Sequence, residues 1–387
     1  MKQEAFQKEE ALLWQWKAKI DRRMEKNPPE SPLYEYHEID EKGEYRPLAY
    51  DMLNCVGWTR SFLNGAVAYL YYHYREEKYL DYLKRALPVY EQYLYSGWEE
   101  AHHDDGFRMS LELVALYRLT GDADVRRLAL IAADQFLKRF KLHPGVIQGF
   151  FSSRDREKAQ TIADDMMNIG LLMWAWKETG NTFYYDVFTS HIKVIMRELK
   201  RPDQSFCHSF QWSAVTGEKI GELNYCGYSI GSTWSRGQTW VLYGLINALA
   251  ATGEEGIYLP HIDGLLNLLL SHVQEYPVLK WDLNCLGQET ALYDTSATVI
   301  LLSALYKLKN LPIKGKLGAL AASYEETCEK IWECLLRDFA APSFKENILE
   351  GGQCGDHMTG CVWGDYFAVE ALMRRMYGVK LPDFWVQ

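Results

Sequence analysis

The stretch Leu119-Thr120-Gly121-Asp122 closes a run in which apolar residues recur every three or four positions, Leu111, Val114 and Tyr117 among them, and it opens a second such run. The same punctuation returns as Glu178-Thr179-Gly180-Asn181 and as Ala251-Thr252-Gly253-Glu254. Glycine enters the left-handed conformation that ends a helix without steric cost, and an Asp or Asn behind it can cap the next helix. Each stretch therefore predicts the turn of a helical hairpin.

The three glycines stand roughly sixty to seventy residues apart, which fits a repeating unit of two helices and a longer loop. Helical periodicity covers about 5–25, 52–74, 77–95, 107–119, 122–140, 163–178, 181–199, 235–251, 258–275, 294–308, 317–338 and 363–376, or six pairs. No Pro/Ser-rich linker interrupts them and no terminal capping repeat of a solenoid is evident. The expected fold is all-α, an (α/α)6 barrel of six helical hairpins closed into a toroid. It would form one catalytic domain over 1–387, with an N-terminal helical segment at about 1–40. Strand-like stretches at 206–213 and 278–282 are expected to form hairpins in the loops on one rim.

The totals narrow the function classes. A chain of 387 residues with 48% hydrophobic content can bury a large core. Lys plus Arg number 42 against 52 Asp plus Glu, a formal charge of -10, and no basic cluster interleaves with aromatics, which excludes a nucleic-acid partner. No stretch approaches about 18 consecutive apolar residues, so no membrane span is expected. Residues 1–26 mix charges with Trp and Leu and read as mature sequence. Eight cysteines, at 55, 207, 226, 285, 328, 334, 354 and 361, form no Cys-x-x-Cys pair, which suits a reducing compartment and predicts a cytoplasmic protein. Cys354, His357 and Cys361 lack the fourth ligand and the close cysteine pair of a zinc site, so free thiols are expected there. The 13 Trp and 26 Tyr suit stacking on ring-shaped ligands as well as core filling, and only position can separate the two.

In each pair the first helix is nearly apolar and carries its polar residues in its opening turn. The first helices should line the ring, with their N-termini sharing one mouth. Gathered there are Trp58-Thr59, Asp104-Asp105, Asp164-Asp165, Trp234, Arg236, Gln238, Trp240, Asp294 and Trp363-Gly364-Asp365. Asp105, Asp294 and Asp365 can equally be helix caps. Asp164 stands four residues before Asn168, on the same helical face and beside the apolar run 166–174, where a carboxyl holds its proton longer, as a general acid needs.

The run His102-His103-Asp104-Asp105-Gly106-Phe107 admits a metal site or an acid/base site. Adjacent side chains on an extended loop are expected to point apart, which disfavours a metal. The acid/base reading needs one Asp at the mouth, ordered by the histidines, with Gly106 permitting the turn. Asp104 and Asp164 are thus the expected carboxylate pair, with no metal and no cofactor. Two carboxyls, an arginine and tryptophans suit an acidic sugar: indole stacks on the ring, Arg takes the carboxylate, and a carboxyl supplies the proton. A structural ion-pair network around a buried Arg236 is the other reading of the same residues.

These motifs, with Asp164-Asp165-Met166-Met167-Asn168, the run 231–240 (GSTWSRGQTW), Tyr293-Asp294-Thr295-Ser296-Ala297 and Trp363-Gly364-Asp365-Tyr366-Phe367, resemble in order and spacing the unsaturated glucuronyl hydrolases of glycoside hydrolase family 88. The resemblance spans about 52–376. It implies an α/α barrel and a reaction on the terminal unsaturated uronic acid left by polysaccharide lyases, begun by hydrating the C4=C5 bond. By motif it implies Asp164 as acid/base residue and Asp104 as the second essential Asp. His208, Trp58, Trp234, Arg236 and Trp240 match residues that hold the sugar.

The chain departs from that pattern at four places. Cys226, in Asn224-Tyr225-Cys226-Gly227, replaces a substrate-contacting glutamine, and Phe150 replaces a tryptophan. Arg60 stands for an acidic residue and Asp105 for an apolar one. The chemistry is expected to be kept and the specificity to differ at Cys226 and Phe150. The loop 351–361 carries no Lys or Arg, which argues against a sulfate pocket there. The expected partner is an unsaturated oligosaccharide substrate. Alternatives are an unsaturated rhamnogalacturonyl hydrolase on the same barrel, an ordinary inverting glycosidase or sugar epimerase, and a silent sugar-binding protein.

Overall fold

The computed structural model describes residues 2–31, 33–49, 57–95, 101–150, 152–284, 292–315, 317 and 324–386. The start of the helix expected from 52, part of that expected from 317, and Cys55 and Cys285 lie outside the described residues.

The three hairpin turns form as their sequences require. Gly121, Gly180 and Gly253 each have φ of 71° and donate their N–H to the carbonyls of Tyr117, Trp176 and Leu249. The threonine before each glycine has a double use. Its hydroxyl donates back to the carbonyl of Leu116, Ala175 or Ala248 at 2.8, 2.6 and 2.9 Å, and accepts the N–H of the residue after the glycine at 3.2 Å each time. Asp122 and Asn181 then cap the next helix through their side chains, whereas Glu254 makes no side-chain cap. A Cβ at Gly121 would meet nothing within 4 Å, so its glycine is required by φ alone. Gly121→Ala is expected to lower stability by about 1–2 kcal/mol, the left-handed penalty, read as a fall in the urea midpoint at unchanged slope.

Six inner helices follow one another round a closed ring. They are α2 (Arg60–Tyr74); α4 and α5 (Asp105–Met109 and Ala115–Thr120, joined by a π turn Ser110–Val114); α7 and α8 (Asp165–Asn168 and Gly170–Thr179); α10 (Ser235–Thr252); α12 (Thr295–Lys309); and α14 (Val362–Tyr377), which returns to α2. Helix α10 is buried on every side from Ser235 to Leu249, because it has a neighbour on every side. The outer helices α3 (Glu77–Tyr95), α6 (Ala123–Leu137), α9 (Thr182–Val194), α11 (Glu255–Ser271) and α13 (Tyr324–Asp338) bury one stripe only, such as Leu80, Leu83, Ala86, Tyr90 and Leu94 of α3.

The sixth outer helix is α1 (Lys2–Lys26), which packs on α14 and α2. The last pair of the ring therefore joins the two ends of the chain. This corrects the expected helical segment at 1–40. The helix stops at Lys26, ahead of Pro28 and Pro29, which offer no N–H, and Leu33–Ile39 (β1) pairs antiparallel with Tyr45–Ala49 (β2). Buried Arg60 holds the turn between α1 and β1 by donating to the carbonyls of Ser31 and Pro29.

Further strands lie in the loops: Phe140–Lys141 (β3) with Val146–Ile147 (β4), Lys158–Ile162 (β5) with Ser209–Ser213 (β6) and Lys219–Leu223 (β7), and Gly352–Cys354 (β8) with His357–Thr359 (β9). The expected strand at 206–213 is thus β6, the middle of a three-stranded sheet. The stretch 278–282 makes only isolated bridges, Asp282 to Trp234 and Lys280 to Tyr293. Inside the ring, beneath the opening turns, Trp385 stacks on Phe367 at 6.0 Å, meets Phe107 edge-on at 5.9 Å and donates its Nε1–H to Glu370. That packing leaves the N-terminal end of the inner helices as the open face.

Candidate active site

Asp104 and Asp164 are the residues that immediately precede α4 and α7, and neither side chain caps its helix. What brings them together is a close approach of the two helix starts. A Cβ at Gly106 would lie 2.1–2.5 Å from the backbone of Asn168, so only glycine lets α4 sit against α7. The φ of Gly106 is not among the positive ones, so packing and not a turn explains it. Asn168 locks the contact: its Oδ1 accepts the Phe107 N–H at 2.9 Å, and its Nδ2 donates to Asp104 Oδ1 and to the Asp164 carbonyl, each at 3.3 Å.

Asp164 keeps 18% of its side chain exposed, enough for a substrate to reach it, while its Oδ2 has no hydrogen-bond partner among the described residues. Its carboxyl is pushed up to about 7, first by burial and then by the charge of Asp104, with Arg236 opposing. His208 faces it, Nε2 standing 4.0 Å from Asp164 Oδ2. The His208 Nδ1 accepts the Tyr225 N–H at 3.1 Å, and burial lowers the imidazole to about 4. A neutral ring whose Nδ1 accepts carries its proton on Nε2, the nitrogen that stands 4.0 Å from Asp164 Oδ2. Asp165 turns away, accepting from the Thr161 hydroxyl at 2.8 Å and the Ile162 N–H at 3.1 Å.

The two histidines do not diverge as expected. Their rings stack at 4.2 Å, and His103 Nε2 and His102 Nδ1 lie 3.2 and 3.4 Å from Asp104 Oδ2. The backbone explains the convergence, because the Asp104 N–H turns back to His102 Nδ1 at 3.2 Å. Burial lowers both imidazoles, His103 to about 4. His102, His103 and Asp104 thus bring three ligand atoms within 4.8 Å of one another, a set able to hold a metal ion. Against a cation stand Arg108 and Arg139, whose charges reach both histidines. Asp105 belongs to the layer beneath: it accepts from Tyr93 OH, Arg108 Nη1 and the His102 N–H at 2.9–3.1 Å, which accounts for a carboxylate at an apolar position. His357 is bound on both nitrogens by Glu38 and Asp356, and Cys354 and Cys361 are free thiols.

Arg236 is paired through one of its nitrogens. Its Nη1 donates to Asp294 Oδ2 at 3.1 Å, Ser296 Oγ at 3.2 Å and the Gln353 carbonyl at 2.8 Å, and the guanidinium lies between the rings of Trp234 and Trp363 at 4.7 and 5.1 Å. Among the described residues Nε and Nη2 take no hydrogen-bond partner. Asp294 also caps α12, accepting the Ser296 and Ala297 N–H groups. Asp365 likewise serves structure, accepting from Arg23, Tyr45 and the Ile348 N–H.

The tryptophans divide by depth. Trp58 is half-buried at the mouth and stacks on Trp363 at 5.1 Å and 27°. Trp240 is 1% exposed between Phe107 and Phe367, and Trp234 is 2% exposed between Arg236 and His208. These two are walls of the core and offer no free face for stacking, which corrects their expected role. Phe150 is 47% exposed on the rim, edge-on to His103 at 5.1 Å. Cys226 is half-buried within the fields of Asp164 and Arg236, its thiol pushed up to about 12 by burial and so neutral. Three neighbours had no sequence signal: His37, placed against Trp58 and Trp363 by β1; Gln353, which accepts the Trp234 Nε1–H at 3.2 Å; and Tyr225. All three come from loops or strands without helical periodicity. A separate groove of about 300 Å³ lies outside the ring between α9 and α11, lined by Tyr185, Lys193, Glu254 and Tyr258, and holds no carboxylate pair.

A closed ring of paired helices with two neighbouring carboxyls at its mouth, that of Asp164 raised to about 7, a neutral histidine and an aromatic rim defines a sugar-processing enzyme of the α/α-barrel class. Residues 33–380 match the sequence profile of Glycosyl Hydrolase Family 88, and the chain belongs to that family. It is 28% identical over 335 residues to the unsaturated chondroitin disaccharide hydrolase of Streptococcus pneumoniae, covering 84% of this chain and 83% of that one. It is 29% identical over 344 residues to the unsaturated glucuronyl hydrolase of Bacillus sp. (strain GL1), covering 85% and 88%. The solved structure of unsaturated glucuronyl hydrolase from Bacillus sp. GL1 superposes with a TM-score of 0.85 at 24% identity over 97% of this chain and 98% of that one. That from Streptococcus agalactiae gives 0.86 at 23% over 96% and 92%. No described helix is long and apolar enough to cross a membrane.

Proposed function

We propose that the chain removes a terminal 4,5-unsaturated uronic acid from lyase-generated oligosaccharides by hydrating its C4=C5 bond. The observation that carries this reading is Asp164, a carboxyl that burial and the charge of neighbouring Asp104 push up to about 7 and whose buried Oδ2 takes no hydrogen-bond partner among the described residues. The names of the relatives, a chondroitin disaccharide and a glucuronyl hydrolase, support the substrate class.

The unsaturated sugar is an enol ether. The Asp164 proton adds to C4 as the π electrons form the C4–H bond, and positive charge spreads over C5 and the ring oxygen. Water adds at C5 and gives a proton back to the Asp164 carboxylate, which the His208 Nε2–H steadies meanwhile. Asp104, oriented by Asn168 and His103, faces the developing charge. The hemiketal at C5 then opens by breaking C5–O5, and the aglycone leaves C1 as an alcohol. The open edge of Arg236, its Nε and Nη2, is placed for the uronate carboxylate. We place the enzyme in the cytoplasm, acting on imported lyase products; its six described cysteines, all unpaired, support this.

The test is the loss of ultraviolet absorbance of the conjugated double bond with unsaturated disaccharides from several polysaccharides, rhamnogalacturonan products included. Decay is expected on at least one, and no decay on any of them overturns the reading. Because the protonated Asp164 is the donor, kcat/KM is expected to fall as pH rises through about 7. A rate undiminished well above that pH would move the donor elsewhere. Chelator is expected to leave the rate unchanged; a loss restored by zinc would give the His102, His103 and Asp104 cluster a catalytic ion.

A further inference from the structure

We propose that Tyr225 is a specificity-determining residue of this site, a rigid platform on which the sugar following the unsaturated uronate stacks. The inference rests on the proposed reaction and adds to it where the aglycone lies and what holds it.

Tyr225 is 53% exposed, yet it is fixed at both ends. Its backbone N–H donates to His208 Nδ1 at 3.1 Å, and its hydroxyl accepts from Gln160 Nε2 at 3.1 Å. An exposed tyrosine ordinarily samples several rotamers, and holding one in place costs side-chain entropy that solvent does not return. The loop beneath is equally bound. The Gly227 N–H donates to Asn224 Oδ1 at 2.7 Å, the Tyr228 N–H and Ser232 hydroxyl donate to Asp282 Oδ2 at 2.9 and 2.6 Å, and the Trp281 Nε1–H donates to the Cys226 carbonyl at 2.8 Å. A half-exposed ring on so constrained a loop is pre-organised for a ligand, because little freedom remains to be lost on contact.

Its place indicates which ligand. The rings of His103, Phe150, Tyr225 and His208 touch in sequence at 5.1, 5.1 and 5.8 Å, successive rings nearly perpendicular, so they form one wall from the neighbour of Asp104 to the neighbour of Asp164. The uronate reacts between those two carboxyls. The exposed middle of the wall, Phe150 and Tyr225, therefore borders what is attached to the reacting sugar. Neither residue carries charge, and an aromatic face takes the C–H face of a pyranose. The occupant is the adjoining sugar of the oligosaccharide, presenting an apolar face.

The experiment compares Tyr225→Ala, Tyr225→Phe and Tyr225→Trp with the wild type on two substrates: the methyl glycoside of the 4,5-unsaturated uronic acid and a lyase-derived disaccharide that the wild type consumes. The readout is the ratio of kcat/KM for the disaccharide to that for the methyl glycoside. Tyr225→Ala is expected to lower this ratio by roughly three- to tenfold, the size of one aromatic stacking contact, while Phe and Trp keep it within about twofold of wild type. An unchanged ratio with Ala, or a Phe variant that falls as far as Ala, overturns the platform. Because each ratio is internal to one protein preparation, partial unfolding of the Ala variant cancels, and Trp tests the ring without removing it. Consumption of the methyl glycoside by the wild type shows the reaction itself to hold whatever Tyr225 does; failure on both substrates would remove the reaction and the platform together.

Discussion

Asp164→Asn is expected to lower kcat by about 10²–10⁴-fold, the span lost when a general acid is removed, with the fold intact. The amide fills the space of the carboxyl but has no proton to give. The same substitution should raise the melting temperature at neutral pH. The unfolded chain ionises Asp164 near 3.8 and the folded chain near 7, so the fold loses stability as pH climbs between those values and carries the full cost above them. Asparagine removes that cost. A variant that is slower and more heat-stable at pH 7, with the gap in stability closing below about pH 4, marks a carboxyl kept in an unfavourable place for its chemistry. Wild-type turnover in the variant would instead move the donor to Asp165 or Asp104.

Arg236→Met is expected to destabilise the protein by about 3 kcal/mol, because it leaves Asp294 charged and buried without its cation. The figure is set at the lower end of the range for a broken buried pair, since the Ser296 N–H and hydroxyl and the Ala297 and Gln353 N–H groups still donate to that carboxylate. The same change frees Gln353, which positions Trp234, so kcat/KM should fall as well. A double cycle with Asp294→Asn separates the effects. If the stability loss disappears in the Asn background while kcat/KM stays low, Arg236 serves both as brace and as substrate ligand. An undiminished melting temperature with a large loss of kcat/KM would make it a ligand alone, and the reverse a brace alone.

The ring was legible because its signals are local. A Thr-Gly pair at the end of an apolar run needs only its own backbone to form a left-handed cap, and a helix that is apolar all round announces neighbours on all sides. The mouth was legible for a related reason: parallel inner helices must present their opening turns at one end, so polar residues at those turns must meet. Asp104 and Asp164 were placed at neighbouring helix starts in this way.

Depth and partnership were not legible. Trp240 and Trp58 both lie at or near the start of an inner helix, yet Trp240 is closed over by Phe107 and Phe367 while Trp58 reaches the mouth. That difference depends on which way a side chain faces inside a ring whose curvature no single helix encodes. Sequence left open whether Arg236 is available or paired because Asp294 stands 58 residues away, and the convergence of His102 and His103 depended on a backbone N–H turning back.

The sequence by itself determined the helical pairs, their turns and the chemical character of the mouth, because capping, periodicity and residue chemistry act within a few residues of one another. Only the tertiary structure decided that α1 completes the last pair and that Gly106 exists for the approach of Asn168. It alone raised Asp164 to about 7 and ran an aromatic wall from His103 to His208. Each of these depends on burial or on contacts between segments far apart in the chain, and neither quantity exists until the ring has closed.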